Sequence, residues 1–511
     1  MSDTLPKAPL WRRVLRGGIK LFLVLAVVFA ARVIYTYRDR NPGYALNLER
    51  TAERWLAEPH PLKVGFARAT INPDMNDPKH PVWLAGFSQH RAATKQHDDL
   101  WAVASVLDDG HTRIGIVALD AIGFFHDDVV EVRRRLKAEW KLDYTVVCST
   151  HNHSTPDLMG LWGPDIFHTG VNSSYREHVI ATVAKVLGEA AGGLQPALVS
   201  IHELKTPPAG LVTDTRKPEV YDADLRFMHF TNPTNGSTIG SIVGWGNHPE
   251  TVWGRNTEIT SDYCGYLRDG LEKGITEDGR LMAAGVGGIH MFVNGAVGGL
   301  MSTTPNVTVR DPYLGGEFKE PTHDKARALG RQLVSRILPV MQDATALRTN
   351  QLPITVRART LIVKSDNPGF LLAPVLGLLD RGQVGWMTMR TEVAVLTLGD
   401  ASVICVPGEL YPELANGGIE KAPGGDFGIE PLEVPPLREL VPGKVKFLFG
   451  LANDEIGYII PKSEWDRKPP YIYGSDHGVY GEVNSMGPNT AMTLHEALRE
   501  LSGQVKGSGA R

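Results

Sequence analysis

Residues 118–153 read "ALDAIGFFHDDVVEVRRRLKAEWKLDYTVVCSTHNH", and the order of patterns here points to the fold class. It opens at the end of an apolar run. The segment "DDVVEVRRRLKAEWK" then places Asp127 and Asp128 first and its arginines later, the charge order that a helix dipole favours. "YTVVCST" follows as a buried strand, so Ala118–Thr150 reads as a strand–helix–strand unit and points to an α/β core. Side chains just beyond the C-terminal end of such a strand stand in the usual functional position, and here they are His151 and His153. If the extended geometry persists, the period of two aims both imidazoles the same way.

The same grammar continues on either side. "LKVGFARATINP" is an alternating strand ended by Asn-Pro, and "DLWAVASVLDDGHTRIGIVALDAIGF" is two strands joined by an Asp-Gly turn. "YREHVIATVAKVLGEAAGGL" is a helix stopped by Gly-Gly. "TIGSIVGWGNHPETVWG" is a strand that delivers His248, and "HMFVNGAVGGLMST" breaks into a glycine-rich loop. "EVAVLTLGDASVICVPGELYPELA" delivers Glu409, and "KVKFLFGLANDEIGYIIP" delivers Tyr458. No repeat of 20–50 residues is visible. The expected architecture is one large mixed-sheet α/β domain over residues 62–511, without a separate C-terminal module.

Composition excludes several classes. The chain has 511 residues, 42% hydrophobic and 22% charged, which is ordinary for a globular protein and unlike a disordered one. A net charge of -4 gives no electrostatic basis for nucleic-acid binding. The three cysteines form neither a CxxC pair nor a disulfide framework, and Cys148 and Cys405 read as small buried hydrophobes.

The N-terminus adds a membrane signal. "WRRVLRGGIKLFLVLAVVFAARVIYTYR" sets Arg12, Arg13, Arg16 and Lys20 in or before an apolar segment over residues 19–37. Its length suits the hydrocarbon layer, with Arg32 able to snorkel and Tyr35 and Tyr37 at the interface. Residues 1–18 then form a cytoplasmic basic tail and 38–61 a linker, and the body is exported to the periplasm or the extracellular side. A cleaved signal peptide with a secreted body is the competing reading, because "VFA" and "FAA" offer small-residue cleavage sites.

His151, His248, Glu409 and Tyr458 all follow strand ends. Two imidazoles and a carboxylate are a common set for a catalytic zinc, and a phenolate is a rarer ligand that a dication would favour. Each residue alone also has a structural reading: a hydrogen-bonded histidine, or a helix cap for Glu409. No HExxH is present.

Several motifs in order over about residues 62–500 resemble the neutral/alkaline (non-lysosomal) ceramidases. "STHNHSTPD" resembles their "THTHSGP", and "NHPETVWGRNTEITSDYCGY" is similar to their second histidine segment. "VPGEL" is similar to "PGEF", "GLANDEIGYI" to "GLxNxYxxYI", and "MGPNT" to "YGPHT". "GFARATI" and "GFSQHRAATKQHDDLWAVA" fall in family order. The resemblance implies one zinc ion per chain on His151, His248, Glu409 and Tyr458, with His153 beside it in proton transfer or substrate binding. It also implies that His97 and Tyr480 line the substrate cleft. The implied reaction is hydrolysis of the N-acyl amide of ceramide, or of a related lipid, by zinc-activated water.

The pattern departs at "FVNGAVGGLMST". Where the family carries an essential serine, Met301 stands at the matching distance from Phe292, with Ser302 one place later, and Gly299 replaces the family aspartate. A water-based mechanism survives that change, whereas a serine acyl-enzyme needs Ser302 to be presented. The family's C-terminal immunoglobulin-like domain has no counterpart here. Two alternatives stay open: a zinc hydrolase of the same fold acting on another amide or ester, and a non-catalytic relative.

Overall fold

In the computed structural model, which describes residues 9–77, 79–478 and 480–503, the chain enters as a helix of 27 residues, α1 (Leu10–Thr36). The first eight residues of the expected basic tail, and residues 504–511 of the expected body, lie outside the described residues. α1 covers the expected span up to Thr36, with Tyr37 as its C-cap, and also takes in Arg12, Arg13 and Arg16 as its opening turns. Mean hydropathy reaches 2.2 over an 18-residue window of it, and that window is not buried. Among the described residues it is the one helix long and apolar enough to cross a membrane.

The first sheet contains β1 (Lys63–Thr70), β2 (Trp101–Asp108), β3 (Arg113–Leu119) and β4 (Tyr144–Ser149) in the spatial order β4-β3-β2-β1. The Asp-Gly hairpin joins β2 to β3, and α2 (His126–Arg135) carries β3 into a parallel β4, as the strand–helix–strand pattern requires. α2 stops at Arg135, short of the expected end. Leu136 turns extended, and Trp140 closes on α3 (Ser173–Gly192) so tightly that a Cβ on Gly188 would lie 2.2 Å from its ring. Tertiary packing overrides helix propensity there. The Asn172 side chain caps α3 by accepting from the Ser174 and Tyr175 amides.

The second sheet has β5 (Leu198–Leu204), β6 (Leu225–Thr231), β7 (Thr238–Trp245) and β8 (Ile289–Asn294) in the order β8-β7-β6-β5. α4 (Asp262–Glu272) and α5 (His323–Met341) share a buried cluster with it. The third sheet is built on β9 (Ile354–Lys364), β10 (Thr388–Leu398), β11 (Ala401–Cys405) and β12 (Val445–Phe449), with α6 (Pro368–Leu376) between β9 and β10 and α7 (Thr490–Leu501) packed on it. Asn47–Arg50 pairs antiparallel with β9 and so forms an edge of this sheet. The segment read as a linker is therefore partly built into the body, where it covers the hydrogen-bonding groups of β9.

All three sheets bury side chains in one contiguous core, among them Val146, Ile242, Met291, Val403 and Phe447. Cys148, Cys264 and Cys405 are free and buried. Each sheet is otherwise antiparallel but carries one parallel pair: β3 with β4, β7 with β8, and β11 with β12. Parallel neighbours finish at the same edge, so the chain leaves these pairs as loops on one side of each sheet.

Two asparagines bind those loops together. Asn294, at the end of β8, donates from Nδ2 to Thr150 O at 2.9 Å and to Asn247 O at 3.0 Å, which ties the loops after β4 and β7. Asn453, after β12, exchanges bonds with Val147 of β4 and donates to Glu392 Oε1 at 2.9 Å. The fully buried Glu392 carboxylate on β10 also receives Arg133 of α2 at 2.7 and 2.8 Å and the Tyr144 hydroxyl at 2.7 Å. Replacing Glu392 with Gln leaves Arg133 uncompensated and should cost about 3–5 kcal/mol of stability, measured by chemical denaturation.

Candidate metal centre

β4 ends at Ser149, and His151 adopts φ +67°, so the chain leaves the extended form before the two histidines. The His151 and Asn152 amides both donate to Ala121 O, at 2.9 and 3.1 Å. The imidazoles of His151 and His153 still meet, with ring centroids 5.0 Å apart. A left-handed turn brings them together, and the expected strand alternation does not. His248 leaves β7 and donates its amide to Met301 O at 3.0 Å, on the glycine-rich loop after β8. Glu409 and Tyr458 are direct partners in a short parallel pair, Glu409–Leu410 with Tyr458–Ile459.

The hydrogen bonds set the chemistry of this group. His151 Nδ1 lies 2.7 Å from Ile122 O and His248 Nδ1 lies 2.8 Å from Met301 O. A carbonyl accepts only, so both Nδ1 atoms carry hydrogen and both Nε2 atoms face inward. Those Nε2 atoms lie 3.3 and 3.1 Å from the same oxygen, Glu409 Oε2. A lone pair aimed at a carboxylate is repulsive unless a cation, either a proton or a metal ion, stands between them. Backbone carbonyls that orient the outer nitrogens are also the usual support of metal-bound histidines. Tyr458 stands beside Glu409, and its phenol is raised well above its ordinary value by burial and by that carboxylate, a shift a dication would reverse. The donor set therefore fits a zinc-type ion.

Burial opposes charge on Glu409, but His151 and His248 outweigh it and hold the carboxyl well below its usual range. Burial likewise opposes a proton on His248, yet Glu409 and Glu250 lift that imidazole to about 9. His153 differs. Burial pushes it down to about 4 against the pull of Glu250, whose Oε2 lies 3.1 Å from Nδ1. Its Nε2 has no partner among the described residues. Gly86, at φ +79°, lies against this ring, and a Cβ there would be 2.6 Å from His153 Cγ. Arg91 pins the same corner by donating to Ala85 O at 2.9 Å and His153 O at 3.2 Å.

His151, His153, His248, Glu409 and Tyr458 form the polar end of a cavity of about 410 Å³ whose walls are mainly apolar, with Phe125, Met159, Trp162, Phe370 and Met389 among them. Met301 points into the core behind β8, while the reversal at Leu300 (φ +59°) turns Ser302 into the cavity. The Ser302 hydroxyl donates to Thr304 O at 2.8 Å. Tyr480 also lines the cavity, 5.9 Å from Tyr458 between ring centroids. His97 is not among the lining residues. It stacks on His323 at 3.6 Å and contacts Glu258, because the short β-bridge Lys95–Gln96 to Glu258–Ile259 holds it against α5. With their planes only 11° apart, those two rings cannot both aim in-plane lone pairs at one ion.

Sequence reasoning passed over two carboxylates of the cavity. Glu250 stands two residues after His248, the spacing that pairs His151 with His153. Burial would raise its carboxyl, but His153, His248 and Ser302 keep it low. Glu455 is raised well above its ordinary value by burial and by Glu409. No local motif marks it.

No protein-family model and no curated protein sequence matches the chain. Solved structures do. A neutral ceramidase from Pseudomonas aeruginosa is similar over 87% of this chain and 74% of its own, with 15% identity and a TM-score of 0.63. A ceramidase complexed with C2 is similar over 87% of this chain and 75% of its own, with 15% identity and a TM-score of 0.64. The described body thus has the neutral ceramidase fold.

In metal-free protein, the raised His248 contributes stability that is complete below its ordinary pKa of about 6.5 and is lost as pH rises through about 9. A bound metal keeps the imidazole neutral and removes that slope. Denaturation midpoints measured against pH, with and without chelator, check this; a flat profile in the chelated protein contradicts it. Gly86→Ala should destabilise the protein by more than about 1 kcal/mol, through both the left-handed backbone and the contact with His153, as thermal unfolding would read.

Proposed function

We propose that the chain is a membrane-anchored, zinc-dependent amidohydrolase that cleaves the N-acyl linkage of ceramide or a related lipid amide. The observation that carries this reading is the pair of inward Nε2 atoms sharing Glu409 Oε2 at the polar end of an apolar cavity. The fold shared with neutral ceramidases supports the substrate class.

His151, His248, Glu409 and Tyr458 would hold the zinc ion. Bound there, it would polarise the amide carbonyl and acidify water. The protein's own groups do the rest. His153 is neutral at pH 7 and presents an unpartnered Nε2, so it receives the proton of the attacking water. Glu250 then stabilises the imidazolium, which passes the proton to the departing nitrogen. Water oxygen adds to the carbonyl carbon and the C–N bond breaks. The products are a fatty acid and a sphingoid base or other amine. The apolar walls take the acyl chain, and Glu455, its carboxyl raised by burial and by Glu409, lines the same cavity.

α1 serves as a retained single-pass anchor. Arg12, Arg13, Arg16 and Lys20 keep its start on the cytoplasmic side and the body is exported.

His151→Ala and His248→Ala should each remove metal, read by elemental analysis, and abolish amide hydrolysis; full activity in a metal-free preparation overturns the reading. Ser302→Ala should lower kcat by no more than about tenfold if water is the nucleophile. A loss of several orders of magnitude transfers that role to Ser302.

A further inference from the structure

The base of α1 is bonded to one particular helix of the body. Arg32 Nε donates to Val375 O at 3.1 Å, Thr36 Oγ1 donates to Pro374 O at 3.5 Å, and the Tyr37 hydroxyl donates to Leu371 O. All three acceptors belong to α6. Its last carbonyls lack partners within the helix, and Arg32 supplies a positive charge at that negative end. The Tyr37 ring also lies 5.0 Å from the Trp386 ring. Thr36 and Tyr37 are buried in this joint.

α6 reads "PGFLLAPVL" and carries no charge. One side of it belongs to the protein: Ala373 packs with Ile122, Phe125 and Met159, and Phe370 lines the cavity. The other side is bare and apolar, with Leu372 56%, Leu376 40% and nearby Trp386 60% exposed. The bare surface continues to the cavity mouth. Asn367, which caps α6, donates to Val483 O at 2.9 Å, and Val483 is itself exposed. Tyr480, three residues earlier, is 54% exposed and also lines the cavity.

We propose that this face of α6, with Trp386, lies in the outer leaflet of the membrane that α1 crosses, so that the cavity mouth opens onto lipid. The occupant follows from the joint: a helix of membrane length ends on α6, which places α6 within about one helical turn of the bilayer surface. A long-chain amide then passes from the leaflet to the polar end, by way of Tyr480 and Phe370, without entering water. The inference rests on reading α1 as a retained anchor and the cavity as an amide-hydrolysing site.

The test uses the full chain in phosphatidylcholine vesicles, with nitroxide labels on Leu372→Cys, Trp386→Cys, Val27→Cys within α1, and Leu347→Cys. The native cysteines are buried and stay unlabelled. Leu347 precedes the opposite end of β9 from α6, about 35 Å along the strand, and is 93% exposed. Labels at 372 and 386 should collide with dissolved oxygen more than with an aqueous nickel chelate, as at 27, and label 347 should do the reverse. Aqueous behaviour at 372 and 386 with lipid behaviour at 27 overturns the proposal and leaves the anchor standing; aqueous behaviour at all three overturns both. In a second arm, Leu372→Asp with Leu376→Asp should lower turnover of a long-chain N-acyl amide in vesicles at least about tenfold and leave a short soluble N-acyl amide unchanged. Equal loss on both substrates overturns the lipid route. Failure to hydrolyse either substrate in the unmodified chain removes the assigned reaction, while the label readout still decides the docking.

Discussion

A buried carboxylate that belongs to no candidate active-site residue holds the architecture together. Glu392 takes its bonds from α2, β4 and the loop after β12, so it joins the early strand–helix–strand unit to a loop 309 residues beyond Tyr144. An ionised group so deep is tolerable only when every oxygen is satisfied, so the arrangement around it is all-or-none. Asn453 is the member that matters for chemistry. By bonding Val147 on one side and Glu392 on the other, it sets the loop bearing Tyr458 against the strand that leads to His151.

The candidate site is then a problem in electrostatics that the fold creates and leaves to a ligand. Two carbonyls choose the tautomer of His151 and His248, and the choice turns both inner lone pairs toward one carboxylate oxygen. Desolvation makes every mismatch there expensive. A proton on His248 relieves part of it, and a dication, if bound as proposed, would relieve more, Tyr458 included. His153 offers a ring nitrogen within 4.8 Å of those of His151 and His248 but has a depressed basicity, and the proposed reading gives it the proton and leaves the metal to the other ligands.

The apolar features form a second, connected system. Cavity wall, α6 and the base of α1 are continuous, so the long apolar helix joins the wall of the candidate site itself. Asn47–Arg50, paired on β9, shortens the remaining slack further.

Local pattern encodes the strand–helix–strand unit around residues 118–150, the membrane-length helix and the burial of Cys148 and Cys405, and it singles out four candidate ligands that remain a proposal. Alternation and charge order are short-range signals, so they survive in one dimension. It misjudged the two histidines after β4, because a single left-handed residue at His151 undoes the strand period. It also placed His97 in the cleft, whereas a short β-bridge holds it against His323. Folding in three dimensions settles that Ser302 faces the cavity and Met301 the core, that Glu250 and Glu455 line the same cavity, and that α1 ends on the cavity's own wall. These outcomes depend on backbone turns and on contacts between residues hundreds of positions apart. Desolvation and close packing select them, and neither acts until the chain has closed.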